Sequence, residues 1–196
     1  VRVGNGPVCV VAENSDTFDS LCRALTDDPG PVGRVAWGAG NAFASSVLSL
    51  RDDPPGAIRY FGDLDEQGLR IPAGASELAV EEGLPPVRPA TGLYAALFDH
   101  GRAGPSRQVT ADRARDAVAW LAEEHRDRAQ TLLVSGRRLA QEAVGRPVLR
   151  GPSNPMSSAT TTMAAETTAN IATGPNAAST GSRMNGSSAF DRRESP

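Results

Sequence analysis

The chain has 196 residues, 39% hydrophobic and 22% charged, which is room for one globular core of about 150 residues plus a remainder. Its net charge of −3 excludes a strongly basic nucleic-acid-coating protein, so any contact with DNA has to come from local patches. No run approaches the roughly 18 apolar residues a spanning helix needs, so no membrane contact is expected. Cys9 and Cys22 are too few for a disulfide framework or a zinc site and read as buried thiols of a reducing cytoplasm. All 20 basic residues are arginine. A phosphate-binding P-loop needs its lysine and a phospho-accepting receiver normally uses one, so the lack of lysine counts against both. Val1 is not a methionine and the first residues lead straight into an apolar run, which suggests the C-terminal part of something longer.

In chain order, Val8–Ala12 is a short continuous apolar run, as expected of a strand buried on both faces. Ser15 is the expected cap of a helix whose Phe18, Leu21, Cys22 and Leu25 share one face, and Asp27-Asp28-Pro29-Gly30 ends it. Val32–Trp37 reads as a second strand, followed by Gly38-Ala39-Gly40 and a helix carrying Phe43, Val47 and Leu50. After the turn Asp53-Pro54-Pro55-Gly56, a third strand runs from Ala57 to Gly62. A helix begins near Asp65, with Pro72 expected to break or restart it, and a fourth strand is expected at Pro86–Pro89 despite its prolines. A longer helix with Ala114, Ala117, Val118 and Leu121 on one face follows Thr110, and Ser135–Val144 has helical character. From Gly151 the composition shifts to Ser, Thr, Ala, Asn, Gly and Pro. Residues 1–150 are therefore read as one domain and 151–196 as a disordered, low-complexity tail. Alternating strands and helices predict an α/β fold, a parallel sheet flanked by helices, with ligands gathering beyond the carboxyl ends of its strands.

Glu13 ends the first strand, and Asp63 and Asp65 follow the third. Carboxylates at one edge of a parallel sheet repel unless a cation or proton shares the site, and hard oxygen ligands in that number suit Mg²⁺ or Mn²⁺. Gly62 removes a side chain that would crowd a phosphate. Asp65 can equally cap the following helix, and Glu13-Asn14-Ser15 can equally be a helix entry.

Val10-Val11-Ala12-Glu13-Asn14, Trp37-Gly38-Ala39-Gly40-Asn41-Ala42-Phe43 and Tyr60-Phe61-Gly62-Asp63-Leu64-Asp65-Glu66-Gln67-Gly68 together resemble a Toprim domain. More narrowly, they resemble the C-terminal domain of JetD, the nuclease subunit of Wadjet anti-plasmid systems. Arg138-Leu139-Ala140-Gln141-Glu142 is similar to that family's closing Leu-Glu-Gln-Glu motif, departing at Ala140. The resemblance spans about residues 8 to 147. It implies a Toprim-like fold and a metal-dependent DNA endonuclease, with Asp63 and Asp65 as metal ligands and Glu13 as ligand or proton-handling group. Glu142 is the implied additional ligand. The implied partners are DNA, the subunits of an SMC-type motor complex and a second copy in a homodimer. Loss of the acid at Ala140 favours the alternative of a non-catalytic Toprim-like module binding DNA or partner subunits. An aspartyl-phosphate phosphatase or receiver using Asp63 as acceptor is the remaining alternative.

Other residues carry less chemistry. His100 and His125 read as solvated, Cys9 as core, and Trp37 as a core or rim aromatic that can also stack on a base. Arg137, Arg138, Arg146 and Arg150 form a basic cluster that suits phosphates and reads equally as ordinary solvated arginines. Tyr60 within a strand and Tyr94 lack the context of a DNA-attacking tyrosine, so hydrolysis by activated water is expected. The composition break gives a first expected outcome. Deleting residues 151–196 should change the urea-measured stability by less than about 0.5 kcal/mol, and a larger loss would show that the segment packs on the domain.

Overall fold

The computed structural model describes residues 1–149. The tail expected at 151–196 lies outside the described residues. Strands β1 (Val8–Ala12), β2 (Val32–Trp37), β3 (Ala57–Phe61) and β4 (Val87–Pro89) form a parallel sheet in the order β2-β1-β3-β4. The fold is α/β, as the alternation of elements predicts. From β1 the chain crosses through helix α1 (Ser15–Asp27) to β2 on one side. From β2 it passes through a Gly40–Ala42 3-10 turn, the short α2 (Phe43–Ser46) and a second 3-10 stretch (Val47–Asp52) to β3 on the other side. This reversal of direction places a topological switch point between the carboxyl ends of β1 and β3.

Side chains alternate across the sheet, and each set has its own core. Val8, Val10, Ala12 and Phe61 pack with Leu21 and Leu25 of α1 and with Leu93, Tyr94 and Leu97 of α4 (Thr91–His100). Cys9, Val11, Ile58 and Tyr60 face Phe43, Val47, Leu50 and the Ile71, Ala75 and Ala79 positions of α3 (Glu66–Glu81). The cores meet at Trp120, which packs against both. Its indole donates to the Val87 carbonyl at 3.0 Å, occupying a backbone acceptor of the edge strand.

Several expectations are corrected. Asn14, not Ser15, caps α1, its side chain accepting from the Thr17 N–H at 2.9 Å. Pro72 neither breaks nor restarts α3, which is continuous around it. The buried Leu69, Ile71, Ala75 and Ala79 hold the helix on both sides of the missing N–H. The helix after Thr110 is shorter than expected. It is α5 (Ala111–Val118), then a turn holding Trp120 and the buried Leu121, then α6 (Glu123–Val134).

The Ser135–Val144 segment is not a helix. It forms β6 (Arg137–Arg138), paired antiparallel with β5 (Gly104–Pro105), then a 3-10 turn at Gln141–Ala143 before α7 (Arg146–Leu149). Its Leu139 and Val144 are buried as the pattern anticipates, but on extended and 3-10 backbone. Leu64 and Leu139 exchange backbone hydrogen bonds, 2.9 Å and 3.3 Å, which ties this segment to the loop after β3. Cys9 is core, whereas Cys22 is only partly buried. Among the described residues no helix is long and apolar enough to cross a membrane.

Leu64 is fully buried between the half-buried acids Asp63 and Asp65 and anchors their loop. Leu64→Ala should lower the urea-measured stability by about 2–5 kcal/mol, the range for a buried leucine cut to alanine. A loss below about 1 kcal/mol would show that the loop collapses onto the vacated space.

Candidate acidic site

The switch point brings together residues that are remote in sequence. The Glu13 N–H donates to the Phe61 carbonyl at 3.0 Å, which continues the β1–β3 pairing one residue past the strand. Its carboxylate turns over Gly62 and accepts from the Asp63 N–H at 3.2 Å. A Cβ at position 62 would lie 2.2 Å from Glu13 Oε2 and 2.9 Å from Tyr60 Cε1. The space at Gly62 is thus filled by the protein's own glutamate and tyrosine, a correction to its expected role of clearing room for a phosphate. Gly68 is needed for a similar reason, since a Cβ there would sit 2.3 Å from the Asp63 carbonyl oxygen.

Asp63 is held by the closing segment. Its Oδ2 pairs with Arg138 Nη1 at 2.6 Å and its Oδ1 accepts from the Gln141 N–H at 2.9 Å. Asp65 caps α3, accepting from the Gly68 N–H at 2.8 Å through Oδ1, while Oδ2 stands 4.0 Å from Arg138 Nη1. Both readings open for Asp65 therefore remain compatible, because capping uses one oxygen only. Glu142 is exposed and accepts from the Asn14 side-chain amide, bringing it next to the residue that follows Glu13. Glu13, Asp63 and Asp65 are thus linked through the Asp63 residue and Arg138, while Glu142 is held beside them by Asn14.

Electrostatics reflect the crowding. Burial is the largest cause that raises the Glu13 carboxyl above its ordinary value; the Asp63 N–H opposes it, and the charges of Asp63 and Asp65 add to it. Asp63 is also raised, first by burial and then by Glu142 and Asp65, against the pull of the Gln141 N–H and Arg138. Tyr60 lies beneath Glu13, 0% exposed. Burial and the Glu13 charge push its phenol far up. The hydroxyl faces the Glu13 carboxylate, and their interaction lowers the carboxyl while it raises the phenol. Tyr94 is also buried, accepting from the Gly62 N–H at 3.2 Å, and burial raises its phenol most. Neither tyrosine is exposed for attack on a substrate.

The donor set is all carboxylate oxygen, which suits a hard divalent cation such as Mg²⁺ or Mn²⁺. Among the described residues, however, no three His, Cys, Asp or Glu side chains form a ready ligand group. Arg138 stands where cationic charge is needed, so a cation on Asp63 Oδ2 requires the guanidinium to move aside. The oxygen donors suit such an ion by chemical type, while the carboxylates as placed are not gathered around one point.

The remaining candidates separate from this site or change character. Trp37 is 58% exposed at the carboxyl end of β2, not core. His100 is exposed, whereas His125 is half-buried, with Nε2 3.3 Å from the Thr91 carbonyl oxygen and its ring against Phe98. Arg137 turns to the Ala103 carbonyl, away from Arg138. Nothing is described of the Arg146 side chain, and Arg150 lies outside the described residues. Asn14, Tyr60 and Gln141 stand in the motifs read from sequence, but their contacts with Glu142, Glu13 and Asp63 are not legible there. Arg138 was singled out as a phosphate-binding candidate, but its pairing with Asp63 has no local signal. No family model, no curated protein and no solved structure matches the chain.

A raised carboxyl makes the folded state bind protons more tightly than the unfolded one. The stability contributed by Glu13 is therefore present below its ordinary value of 4.5 and lost as pH rises through the raised one. Glu13→Gln keeps an oxygen for the Asp63 N–H and removes the titration. With chelator present, its stability relative to the parent should increase as pH rises from acid to neutral. A difference that is flat or shrinks with pH, read from urea midpoints, would contradict the assigned burial.

Proposed function

We propose that this chain is a Toprim-like, metal-dependent DNA endonuclease domain acting within a plasmid-defence complex of the Wadjet type. The observation supporting it most is the meeting of Glu13 with Asp63 and Asp65 at the switch point of a parallel sheet. Asp63 and Asp65 would hold Mg²⁺ or Mn²⁺, with Glu142 as a peripheral oxygen donor. The bound cation stabilises the charge that builds on a phosphate and lowers the pKa of the attacking water.

The chain's own part in hydrolysis follows from its contacts. Water adds to phosphorus as the P–O bond to the leaving strand breaks, so one proton must leave the nucleophile and one must reach the departing oxygen. Glu13 is suited to carry it, because burial moves its carboxyl towards the pH of the cell and the Asp63 N–H fixes its direction. The buried Tyr60 and Tyr94 support hydrolysis by water over a covalent tyrosine–DNA intermediate. A net charge of −3 disfavours DNA binding by the chain alone. That supports delivery of DNA by partner subunits, and the resemblance to the Wadjet nuclease is what suggests an SMC-type motor complex in the cytoplasm and a homodimeric nuclease.

One observation favours a second reading, a non-catalytic Toprim-like module that binds DNA or partner subunits. Arg138 neutralises Asp63 in the way expected of a site that holds no cation. Nicking of supercoiled plasmid in Mg²⁺ or Mn²⁺ by the protein with its partner subunits separates the two. Asp63→Asn should reduce it by orders of magnitude, since a metal site supplies several kcal/mol of transition-state stabilisation. Chelation should abolish it, Asp65→Asn should act like Asp63→Asn, and Glu142→Gln should cost less. An Asp63→Asn protein that still nicks DNA and protects cells against plasmids as the parent does would overturn the endonuclease reading.

A further inference from the structure

Arg138 has a guanidinium on the acidic site and a backbone that cannot leave it. Its neighbours fix it twice, through the Leu64–Leu139 bridge and through the pairing of Arg138 with Gly104 in the β5–β6 ribbon. The side chain is 42% exposed, so its head can swing while its base stays in place. It contacts Asp63 closely and Asp65 more loosely, both through Nη1. A guanidinium carries five N–H donors in a planar fork, so one ion pair leaves most of its capacity unspent.

Charge arithmetic says what that capacity is for. Arg138 pairs with Asp63 and stands beside Asp65, and the charges of Glu13 and Glu142 lie close enough to act on the same Asp63, which makes four carboxylates around one guanidinium. With all four ionised and one divalent cation present, the cluster is still negative by one charge with Arg138 and by two without it. An approaching phosphodiester is an anion, and it meets least repulsion where the displaced guanidinium stands.

Resting on the metal-site reading above, we infer that Arg138 is the phosphate-binding residue of this site. It holds Asp63 in the resting chain, gives up Oδ2 when a divalent cation is bound there, and then takes a non-bridging oxygen of the DNA phosphate. No bond is made or broken in this exchange; one ion pair replaces another. The arrangement also explains why Asp63 is met from one segment on both oxygens, since Gln141 keeps hold of Oδ1 while Oδ2 changes partner.

The test uses the full chain and two variants, Arg138→Gln and Arg138→Lys, with circular dichroism to verify folding. Mn²⁺ alone is titrated calorimetrically, and a labelled duplex oligodeoxynucleotide is bound in Ca²⁺. Removing the competing guanidinium should tighten Mn²⁺ binding by about threefold or more. The same change should weaken DNA binding by about tenfold, the size expected for one charged hydrogen bond. Arg138→Lys should keep most of the DNA affinity, because its ammonium still meets a phosphate, while its single-point pairing with Asp63 should also tighten Mn²⁺ binding. That variant carries the test if the glutamine form does not fold. Unchanged or weaker Mn²⁺ binding in a folded variant overturns the exchange and leaves the endonuclease reading standing. Unchanged DNA affinity in Arg138→Gln, or no DNA binding by the parent even at low ionic strength, overturns the phosphate role. Failure of parent and variants alike to bind Mn²⁺ overturns this inference and the metal site together, whereas binding by a variant alone supports the competition.

Discussion

Like charges gathered at one edge of a sheet have to be compensated, and the way this chain compensates them organises the rest of the molecule. Glu13 leans on the Asp63 N–H, Asp63 on Arg138 and the Gln141 N–H, Asp65 on the first turn of α3, and Glu142 on Asn14. Most of these partners come from distant parts of the chain. The closing segment is consequently a wall of the site and its source of positive charge. Hydrogen bonds to ionised groups are worth about 1.5–3 kcal/mol each, so they are strong enough to hold that segment against the loop after β3.

Beneath the carboxylates lies an aromatic floor. Tyr60 stacks at 5.0 Å from Phe43, and Phe61 meets Tyr94 edge-on at 5.2 Å. Trp120 closes the group, edge-on to Tyr60 at 6.3 Å and to Tyr94 at 6.2 Å. Such rings exclude water from below, which is why burial leads the causes that raise Glu13 and Asp63. They also limit where the acids can go. Glu13 lies between the ring of Tyr60 and the bare backbone of Gly62, so its carboxylate moves only towards Asp63 or towards solvent.

The parts of this architecture that can be read from sequence are those with local causes. Val8–Ala12 and Val32–Trp37 are strands over the same residues that their apolar runs delimit, and the acids that follow β1 and β3 lie at the same edge because parallel strands end together. Helix α4 escapes because Leu93, Tyr94, Ala96, Leu97 and Phe98 surround it with apolar surface and leave no stripe to detect. The closing segment escapes for the opposite reason. Leu139 and Ala143, four residues apart with Val144 beside them, have a spacing that suits a helix, while the Leu64 backbone and Asp63 draw the chain out straight. A tertiary contact decides there, and no window of sequence around Ser135 contains it. The Arg138–Asp63 pair is invisible for the same reason, since its members stand 75 residues apart.

The absence of lysine from the whole chain bears on this pair. A lysine beside buried carboxylates can shed its proton and become neutral when a metal ion arrives, whereas a guanidinium stays protonated in proteins. Arg138 must therefore keep its charge wherever it points, and a fixed cation expelled from one anion needs another nearby. Asp65 stands 4.0 Å from Nη1 but already caps α3 through its other oxygen, and Glu142 is engaged by Asn14. Both would also be drawn to a divalent cation in the cluster. What remains within the swing of an anchored side chain is an anion supplied from outside, and that requirement links the charge balance of the resting fold to the substrate proposed for it.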